Sequence, residues 1–182
     1  MKPNPILILA FFSIVLLLLF LINKEQPLNK DVQPPTELHP TVKRYRDILI
    51  TQADSIGINI VITDGLRSYA EQDAIYARGR TKPGNIVTNA QAGESYHNYG
   101  LAIDFALRVG DDVIWDITYD GNQNGKSDWM EVVALAKKLG FSWGGDWQGA
   151  PDYPHLQMEF GLSIWELRRG KQPNVDKYGD PL

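Results

Sequence analysis

Hydrophobic residues recur at helical spacing in three segments of the chain. In residues 40–56 they fall at every third or fourth position, a proline suits the first helical turn, and Gly57 suits the C-terminal cap. Residues 68–78 begin with a serine that can act as an N-cap, and a glycine follows them. Residues 128–139 keep their apolar side chains on one side. These patterns predict three helices.

Short runs rich in β-branched and aromatic residues predict strands between and after the helices. These runs are residues 58–63 (INIVIT), 86–88 (IVT), 101–107 (LAIDFAL), 113–117 (VIWDI) and 155–160 (HLQMEF). The run 113–117 can form the hairpin partner of 101–107 across residues 108–112. Helices and strands do not alternate regularly, so the pattern predicts an α+β fold with a mainly antiparallel sheet.

Two of the predicted strands carry polar residues on one face only. Side chains alternate along a strand, so Asp104 shares one face of 101–107 with two alanines, and the larger apolar residues take the other face. In the last strand, His155 shares its face with Gln157 and Glu159. A buried carboxylate must be paired, hydrogen-bonded or bound to a metal. If the two polar faces line one cleft, Asp104 and His155 can approach each other.

His97 can join this pair from a preceding loop. It lies seven residues before Asp104, and Gly100 between them allows the chain to fold back. Two histidines and one carboxylate around an open fourth position form the ligand set of a catalytic zinc ion. From spacing alone, a histidine–aspartate hydrogen bond in a loop without metal is the alternative.

The N-terminal residues form a separate apolar segment. Residues 5–22 carry no charge, and such a run is close to the roughly 20 apolar residues that span a bilayer. No A-x-A-like cleavage site follows it. We expect residues 1–22 to be a signal anchor, with a cleaved signal peptide as the alternative. Residues 23–38 are polar and contain three prolines, which predicts a linker. The functional domain would then be residues 39–182, outside the membrane.

Composition narrows the classes of function. The sequence has no cysteine, which excludes disulfides, thiolate metal sites and cysteine nucleophiles. Residues 31–182 contain 15 basic and 21 acidic residues, a net charge of −6. This charge argues against a nucleic-acid partner, which requires a basic surface. We expect a monomer.

Several separated motifs resemble one family of metallopeptidases. Residues 95–104 (SYHNYGLAID) resemble the S-x-H-x-x-G-x-A-x-D signature of the D-Ala-D-Ala carboxypeptidase and VanY-like metallopeptidases. The second half of that signature is similar to residues 143–147 (WGGDW) and 152–155 (DYPH). Two upstream segments, ITDGLRS and EQDAIYARGRT, also fit the family. The resemblance runs from about residue 38 to near residue 173. The D-x-x-H form at Asp152 is similar to the L-alanyl-D-glutamate endopeptidase branch, since carboxypeptidase relatives usually place glutamate there and tryptophan at the position of Pro154.

The resemblance implies a fold, a metal and residue roles. The fold is that of the hedgehog and D-Ala-D-Ala peptidase-like proteins, with a mainly antiparallel central sheet, flanking helices and a zinc cleft. The implied ligands of one catalytic Zn²⁺ are His97, Asp104 and His155. Asp152 would be the general base, Arg67 would help to stabilise the developing oxyanion, and Ser95 would lie near the substrate.

The implied activity is hydrolysis of the L-Ala–D-Glu bond in peptidoglycan stem peptides. The enzyme would be a zinc metallo-endopeptidase that acts as a cell-wall hydrolase, membrane-anchored or secreted. One alternative is a D-Ala-D-Ala carboxypeptidase, against which Asp152 and Pro154 argue. Another is a zinc-containing binding domain without catalysis, in which we would expect the base or Arg67 to be missing.

A second metal-binding pattern lies at residues 120–131. It reads D-x-N-x-N-G-x₅-E, the calcium loop of EF-hands. The predicted Ca²⁺ ligands are Asp120, Asn122, Asn124, Asp128 and Glu131. A strand precedes the loop where an EF-hand has a helix, and Ser127 occupies a position that is usually apolar. A turn at Asn124 followed by a capped helix start explains the same residues without calcium, so both interpretations stay open.

Overall fold

The computed structural model describes residues 33–173 and, apart from them, only Ile14. The predicted anchor, residues 1–22, therefore lies outside the described part of the chain except for that one residue, as do residues 23–32 of the predicted linker. None of the helices among the described residues combines the length and the apolar character that a membrane span requires.

Within residues 33–173 the chain forms four α-helices. They are α1 (Pro40–Ser55), α2 (Tyr69–Ala77), α3 (Asp128–Lys138) and α4 (Ile164–Arg168), and 3₁₀ turns cover Tyr96–Tyr99 and Gly144–Asp146. The first three confirm the predicted helices. Ser68 caps α2, since its side chain accepts the backbone N–H of Glu71 and the Glu71 carboxylate accepts the N–H of Ser68. The five-residue helix α4 is too short to show a periodic pattern, so it was not predicted.

The strands form one antiparallel sheet. They are β1 (Ile60–Asp64), β2 (Ala102–Val109), β3 (Asp112–Ile114), β4 (Ser142–Trp143) and β5 (His155–Gln157). Their order is β1-β2-β5-β4, and β3 pairs with the end of β2. Every pairing is antiparallel. This architecture confirms the predicted α+β fold with a mainly antiparallel sheet.

Two of the predicted strands have different bounds in the structure, although the hairpin between β2 and β3 is confirmed. Leu107 lies opposite Ile114, and Gly110 adopts a φ of +60° in the turn between the strands. The strand predicted at 113–117 ends early, at Ile114. The strand predicted at 155–160 ends at Gln157, and Phe160 has a φ of +51°, which turns the chain away from the sheet.

The strand predicted at residues 86–88 is wrong. Ile86 and Val87 are 57% and 56% exposed and belong to a loop. Side chains hold this loop: the Arg80 guanidinium donates to the Thr88 carbonyl at 2.9 Å and to the Asn89 side chain at 2.8 Å. β-branched residues favour strands only where a neighbouring strand can pair with them, and within the described residues none pairs here.

The hydrophobic core lies between α1, α3 and one face of the sheet. Phe105 of β2 packs against Trp129 of α3, with ring centroids 4.7 Å apart. Ile103 and Leu107, on the same face of β2 as Phe105, are buried. Because side chains alternate along β2, this packing directs Asp104 to the opposite face.

A glycine connects the first 3₁₀ turn to β2. Gly100 has a φ of +67°, a conformation that L-residues with side chains rarely adopt. A Cβ atom at this position would lie 2.7 Å from the Glu37 carbonyl oxygen. The turn therefore needs a glycine, and it places His97 beside the start of the strand that carries Asp104.

Candidate metal centre and catalytic cleft

The three predicted zinc ligands converge at the middle of the sheet. Asp104 and His155 are direct partners in the β2–β5 pairing. His97 Nε2, His155 Nδ1 and Asp104 Oδ1 form a triangle with sides of 3.1, 3.2 and 3.3 Å. Tetrahedral zinc with bonds of roughly 2.0–2.1 Å places its ligand atoms about 3.3 Å apart. The size of the triangle therefore fits a single ion.

Hydrogen bonds on the far side of each imidazole determine which nitrogen faces the triangle. His97 Nδ1 lies 2.7 Å from the Gly65 carbonyl oxygen, so it must donate to it. His155 Nε2 lies 2.8 Å from Gln157 Oε1. A neutral imidazole has one N–H, so the two nitrogens that face each other both present lone pairs. Two lone pairs and a carboxylate that face one point in a buried site favour a cation there, and imidazole with carboxylate is a ligand set that suits zinc.

The protein environment keeps Asp104 ionised. Burial alone would raise its pKa, but the His155 and His97 imidazoles beside it hold the pKa of this carboxyl well below its usual range. Burial alone would lower the pKa of His155, whereas the adjacent Asp104 carboxylate raises it. The site thus concentrates negative charge where a metal ion fits.

Arg67 lies beside the triangle in a fixed orientation. Its Nε donates to Asp64 Oδ2 at 3.2 Å, its Nη2 forms an ion pair with the same carboxylate, and its Nη1 donates to Gln72 Oε1 at 3.0 Å. Arg67 Nη2 lies 3.9 Å from Asp104 Oδ2, and the side chain is only 14% exposed. The guanidinium can therefore face negative charge that develops on a substrate in the cleft.

Two residues that position Arg67 were missed from the sequence. Gln72 is completely buried, and its amide donates to the Ala90 carbonyl at 2.8 Å while its oxygen accepts from Arg67. It links the arginine to the loop that forms one wall of the cleft. In the sequence, Asp64 directly follows the predicted strand 58–63, and Gln72 lies within the predicted helix 68–78. Neither role has a local sequence signal, since each depends on the placement of Arg67.

Asp152 lies in the loop before β5 and lines the same cleft. Its backbone N–H donates to the Gly144 carbonyl at 3.0 Å, and a Cβ at Gly144 would lie 2.5 Å from the Asp152 carbonyl oxygen. The Asp152 residue is exposed to solvent. Partial burial of its carboxyl group nevertheless raises its pKa, and the negative charge of Asp104 raises it further. A raised pKa suits a carboxylate that takes up a proton during a reaction.

Two buried indoles hold the segment between Asp152 and β5. The Tyr153 carbonyl accepts from Trp143 Nε1 at 2.7 Å and from Trp129 Nε1 at 3.3 Å. Trp143 is thus part of the core. Trp147 is 42% exposed, lines the cleft, and has its ring centroid 5.1 Å from that of His155. It forms a wall of the cleft.

Ser95 caps the 3₁₀ turn that carries His97. Its Oγ accepts the backbone N–H of His97 at 3.3 Å, and the residue lines the cleft. The cleft has a volume of about 660 Å³, which is within the range of roughly 300–1,000 Å³ found for ligand sites. Ser95, Arg67 and Asp152 all border it together with the triangle.

The residues of the predicted calcium loop are connected to one another by hydrogen bonds. Asp120 accepts two backbone N–H groups of the loop at 3.1 and 3.0 Å. Asn122 and Asn124 donate to the Glu131 carboxylate at 2.8–3.2 Å. Asp128 caps the loop from another side, and its Oδ1 has no hydrogen-bond partner. Among residues 33–173, His97, Asp104 and His155 form the one group of at least three histidines and acids close enough to share an ion, so this loop is not such a cluster.

Comparison with known proteins identifies the family. Residues 88–158 match the M15 peptidase family described as D-alanyl-D-alanine carboxypeptidase. The chain is 62% identical over 130 residues to the peptidoglycan L-alanyl-D-glutamate endopeptidase CwlK of Bacillus subtilis, an alignment that covers 71% of this chain and 78% of CwlK. The chain belongs to the L-alanyl-D-glutamate endopeptidase branch of the M15 peptidases. M15 peptidases depend on a metal ion, and the triangle is the place in the described structure that could hold one.

Two further comparisons agree with this M15 assignment. The L-alanyl-D-glutamate peptidase of Listeria phage A118 is 36% identical over 112 residues, which cover 62% of this chain and 34% of the phage protein. The crystal structure of DacB from Streptococcus pneumoniae has a TM-score of 0.53 at 22% identity, with 84% of this chain and 82% of DacB covered. The second comparison shows a common fold. It confirms the predicted fold, and the family is shown by the identity to CwlK.

Proposed function

We propose that this M15 peptidase hydrolyses the L-Ala–D-Glu bond of peptidoglycan stem peptides with one zinc ion. The observation that supports it most strongly is the triangle of His97, His155 and Asp104, with sides of 3.1–3.3 Å and both imidazole lone pairs directed inward. The bond specificity is supported by the 62% identity to CwlK, whose name states that bond. Asp152, three residues before His155, has the spacing associated with this branch.

The zinc would be held by His97 Nε2, His155 Nδ1 and the Asp104 carboxylate. When bound, zinc would supply Lewis-acid chemistry, which lowers the pKa of a water molecule to about 7 and polarises a carbonyl group. The chain offers nitrogen and oxygen ligands here and has no cysteine. Another divalent metal that accepts imidazole is the competing outcome.

The protein side chains would handle the protons and the charge. Asp152 would take a proton from the attacking water and deliver it to the amine that leaves as the amide C–N bond breaks. Arg67 would face the negative charge that develops on the carbonyl oxygen, because its positively charged guanidinium lines the cleft. Ser95 would contact the substrate backbone from the edge of the first 3₁₀ turn.

A D-Ala-D-Ala carboxypeptidase is the second candidate. It is favoured by the description of the family that matches residues 88–158. The two activities release different products from the same polymer. Purified peptidoglycan should be digested with the protein, and the newly freed amino group should be identified by mass spectrometry. We expect D-glutamate, or its amidated form, freed from L-alanine. Release of D-alanine without a new D-glutamate amine would favour the carboxypeptidase. Asp152→Ala, checked for folding and metal content, serves as the control.

We also propose that residues 1–22 anchor the peptidase domain, residues 39–182, through the linker 23–38. An enzyme that degrades peptidoglycan acts outside the cytoplasm, and an uncharged run of this length suits a membrane anchor. The protein should fractionate with membranes and keep its N-terminal residues. A mature N-terminus beyond residue 22 would show a cleaved signal peptide instead.

Calcium binding by residues 120–131 is a separate proposal. It is supported by the EF-hand spacing and by the positive φ angles of Gln123 and Gly125, +57° and +80°, which form a tight loop around Asp120. The hydrogen bonds that already close this loop are the argument for a capped turn. Thermal melting with calcium and with magnesium distinguishes the two.

A further inference from the structure

We infer that Gln157 and Glu159 form a hydrogen-bonded relay that positions the metal ligand His155. The inference rests on the proposed function, since it takes His155 as a ligand. It adds two positioning residues that are not metal ligands and do not belong to the catalytic set described above. The observation behind it is a continuous chain of side-chain contacts along one face of β5 and its extension.

The three side chains follow one another at alternate positions. Side chains at i, i+2 and i+4 of an extended segment lie on one face. His155 Nε2 lies 2.8 Å from Gln157 Oε1, and Gln157 Nε2 donates to Glu159 Oε1 at 2.8 Å. Gln157 is only 5% exposed, whereas Glu159 reaches solvent. The relay thus runs from the protein surface to the buried imidazole.

The charge at the outer end determines the orientation of the amide. An ionised carboxylate only accepts hydrogen bonds, so Gln157 must direct its NH₂ group toward Glu159. Its oxygen then faces His155 and also only accepts. The proton of a neutral His155 must therefore lie on Nε2, and the lone pair must lie on Nδ1, the atom 3.3 Å from Asp104 Oδ1. The reverse orientation would place the amide oxygen against the carboxylate, which is repulsive.

The two histidines of the triangle are oriented by different kinds of acceptor. His97 donates to the backbone carbonyl of Gly65, which a substitution cannot remove. His155 relies on a side chain, which a substitution can remove. Partners of this kind hold the ring in place and raise the basicity of the ligating nitrogen, and losing one typically costs 10- to 100-fold in metal affinity. Gln157 is therefore the point at which the relay can be broken without touching a ligand.

The test compares zinc affinity and the hydrogen bond of the His155 imidazole in the full-length protein. Zinc affinity is measured by competition with a chelator, and the hydrogen bond of the His155 Nε2–H group in the zinc-loaded protein by its ¹H shift and its protection from solvent exchange in ¹H–¹⁵N spectra. Gln157→Met has nearly the same volume and no amide oxygen, so it should lower zinc affinity by about 10- to 100-fold and remove the downfield shift and the exchange protection of this N–H group. Gln52→Met, on α1 and outside the cleft, is the matched control and should leave both unchanged.

Variants at the surface end test the direction of the relay. Glu159→Lys can only donate, so it should pull the Gln157 oxygen away from His155 and lower zinc affinity. Glu159→Gln can still accept through its amide oxygen and should stay close to the parent protein. If Gln157→Met does not fold, Glu159→Lys decides the question in the same two assays. A folded Gln157→Met, or Glu159→Lys in its place, that keeps zinc affinity within about twofold of the parent and keeps the shifted, exchange-protected Nε2–H signal overturns the relay.

Failure of the relay can be separated from failure of the metal assignment. If His155→Ala binds zinc as tightly as the parent protein, His155 is not a ligand and the proposed metal site is wrong. If His155→Ala loses zinc while the folded Gln157→Met variant keeps the zinc affinity of the parent protein, the metal assignment stands and the relay is overturned. If both variants lose zinc affinity, the result supports both.

Discussion

The Tyr153 carbonyl accepts hydrogen bonds from the indole N–H groups of Trp143 and Trp129, at 2.7 and 3.3 Å. It loses its last donor only when both indoles are removed. We predict that Trp143→Phe and Trp129→Phe destabilise the protein more in combination than the sum of the two single effects. Each single variant leaves one indole to satisfy the carbonyl. The double variant surrounds it with two phenyl rings, which cannot donate.

The size of the coupling follows from the cost of hydrogen bonds. Losing one of two donors costs about 0.5–1.5 kcal/mol, in addition to the loss of buried indole surface. Leaving this carbonyl unpaired beside two buried aromatic side chains adds up to about 1–3 kcal/mol of desolvation, and this amount is the expected excess of the double variant over the sum. For a chain of 182 residues, about 1 kcal/mol corresponds to roughly 2–4 °C in Tm.

Chemical denaturation of the metal-free protein, followed by far-UV circular dichroism, measures the four free energies of unfolding. Fluorescence is unsuitable because the substitutions remove different members of the set of five tryptophans that would report unfolding. Trp165→Phe, on α4 and 39% exposed, provides a control pair with Trp129→Phe that should be additive within about 0.5 kcal/mol. If the Trp143 and Trp129 variants are also additive within that margin, the carbonyl is reached by water or never depended on the indoles, and the reasoning is wrong.

The remaining predictions concern the metal, the base and the loop. The parent protein should contain about one zinc per chain, in keeping with a single catalytic site; full occupancy in a His97→Ala, His155→Ala double variant would exclude these ligands. Asp152→Ala should keep zinc and lose about 10²–10⁴-fold in turnover, and loss of zinc instead would make Asp152 a ligand. Burial and then the charge of a neighbouring aspartate raise the pKa of Asp152, so kcat/KM should fall on acidification. Because this pKa is raised in the folded state, the ionised Asp152 carboxylate lowers the free energy of unfolding at neutral pH. Metal-free Asp152→Asn should therefore have a Tm no lower than that of the parent at neutral pH, and a lower Tm would contradict this. Calcium in the range of roughly 10⁻⁴–10⁻³ M should raise Tm and Asp120→Ala should abolish the rise, whereas no response beyond a magnesium control would leave a capped turn.

The strand-like run at residues 101–107 shows what a local sequence pattern can predict and what it cannot. Alternation along a strand is a property of the backbone, so it predicted correctly that Asp104 and His155 lie on polar faces. The same reasoning predicted a strand at residues 86–88, where the composition is suitable and the structure has a loop. Strand formation requires a partner, and the identity of the partner is not a local property.

The sequence by itself determined the main helices, the antiparallel α+β class and the residues of the metal triangle. Periodicity and a spaced signature can be recognised without knowledge of the tertiary contacts. The tertiary structure decided which imidazole nitrogens face inward, how Gln72 holds Arg67, and that Gln157 supports His155. These features depend on hydrogen bonds whose geometry is set by packing, so the residue types alone do not reveal them. Gln72 and Gln157 are ordinary polar residues in the sequence, and only their burial beside charged or metal-binding groups gives them a role.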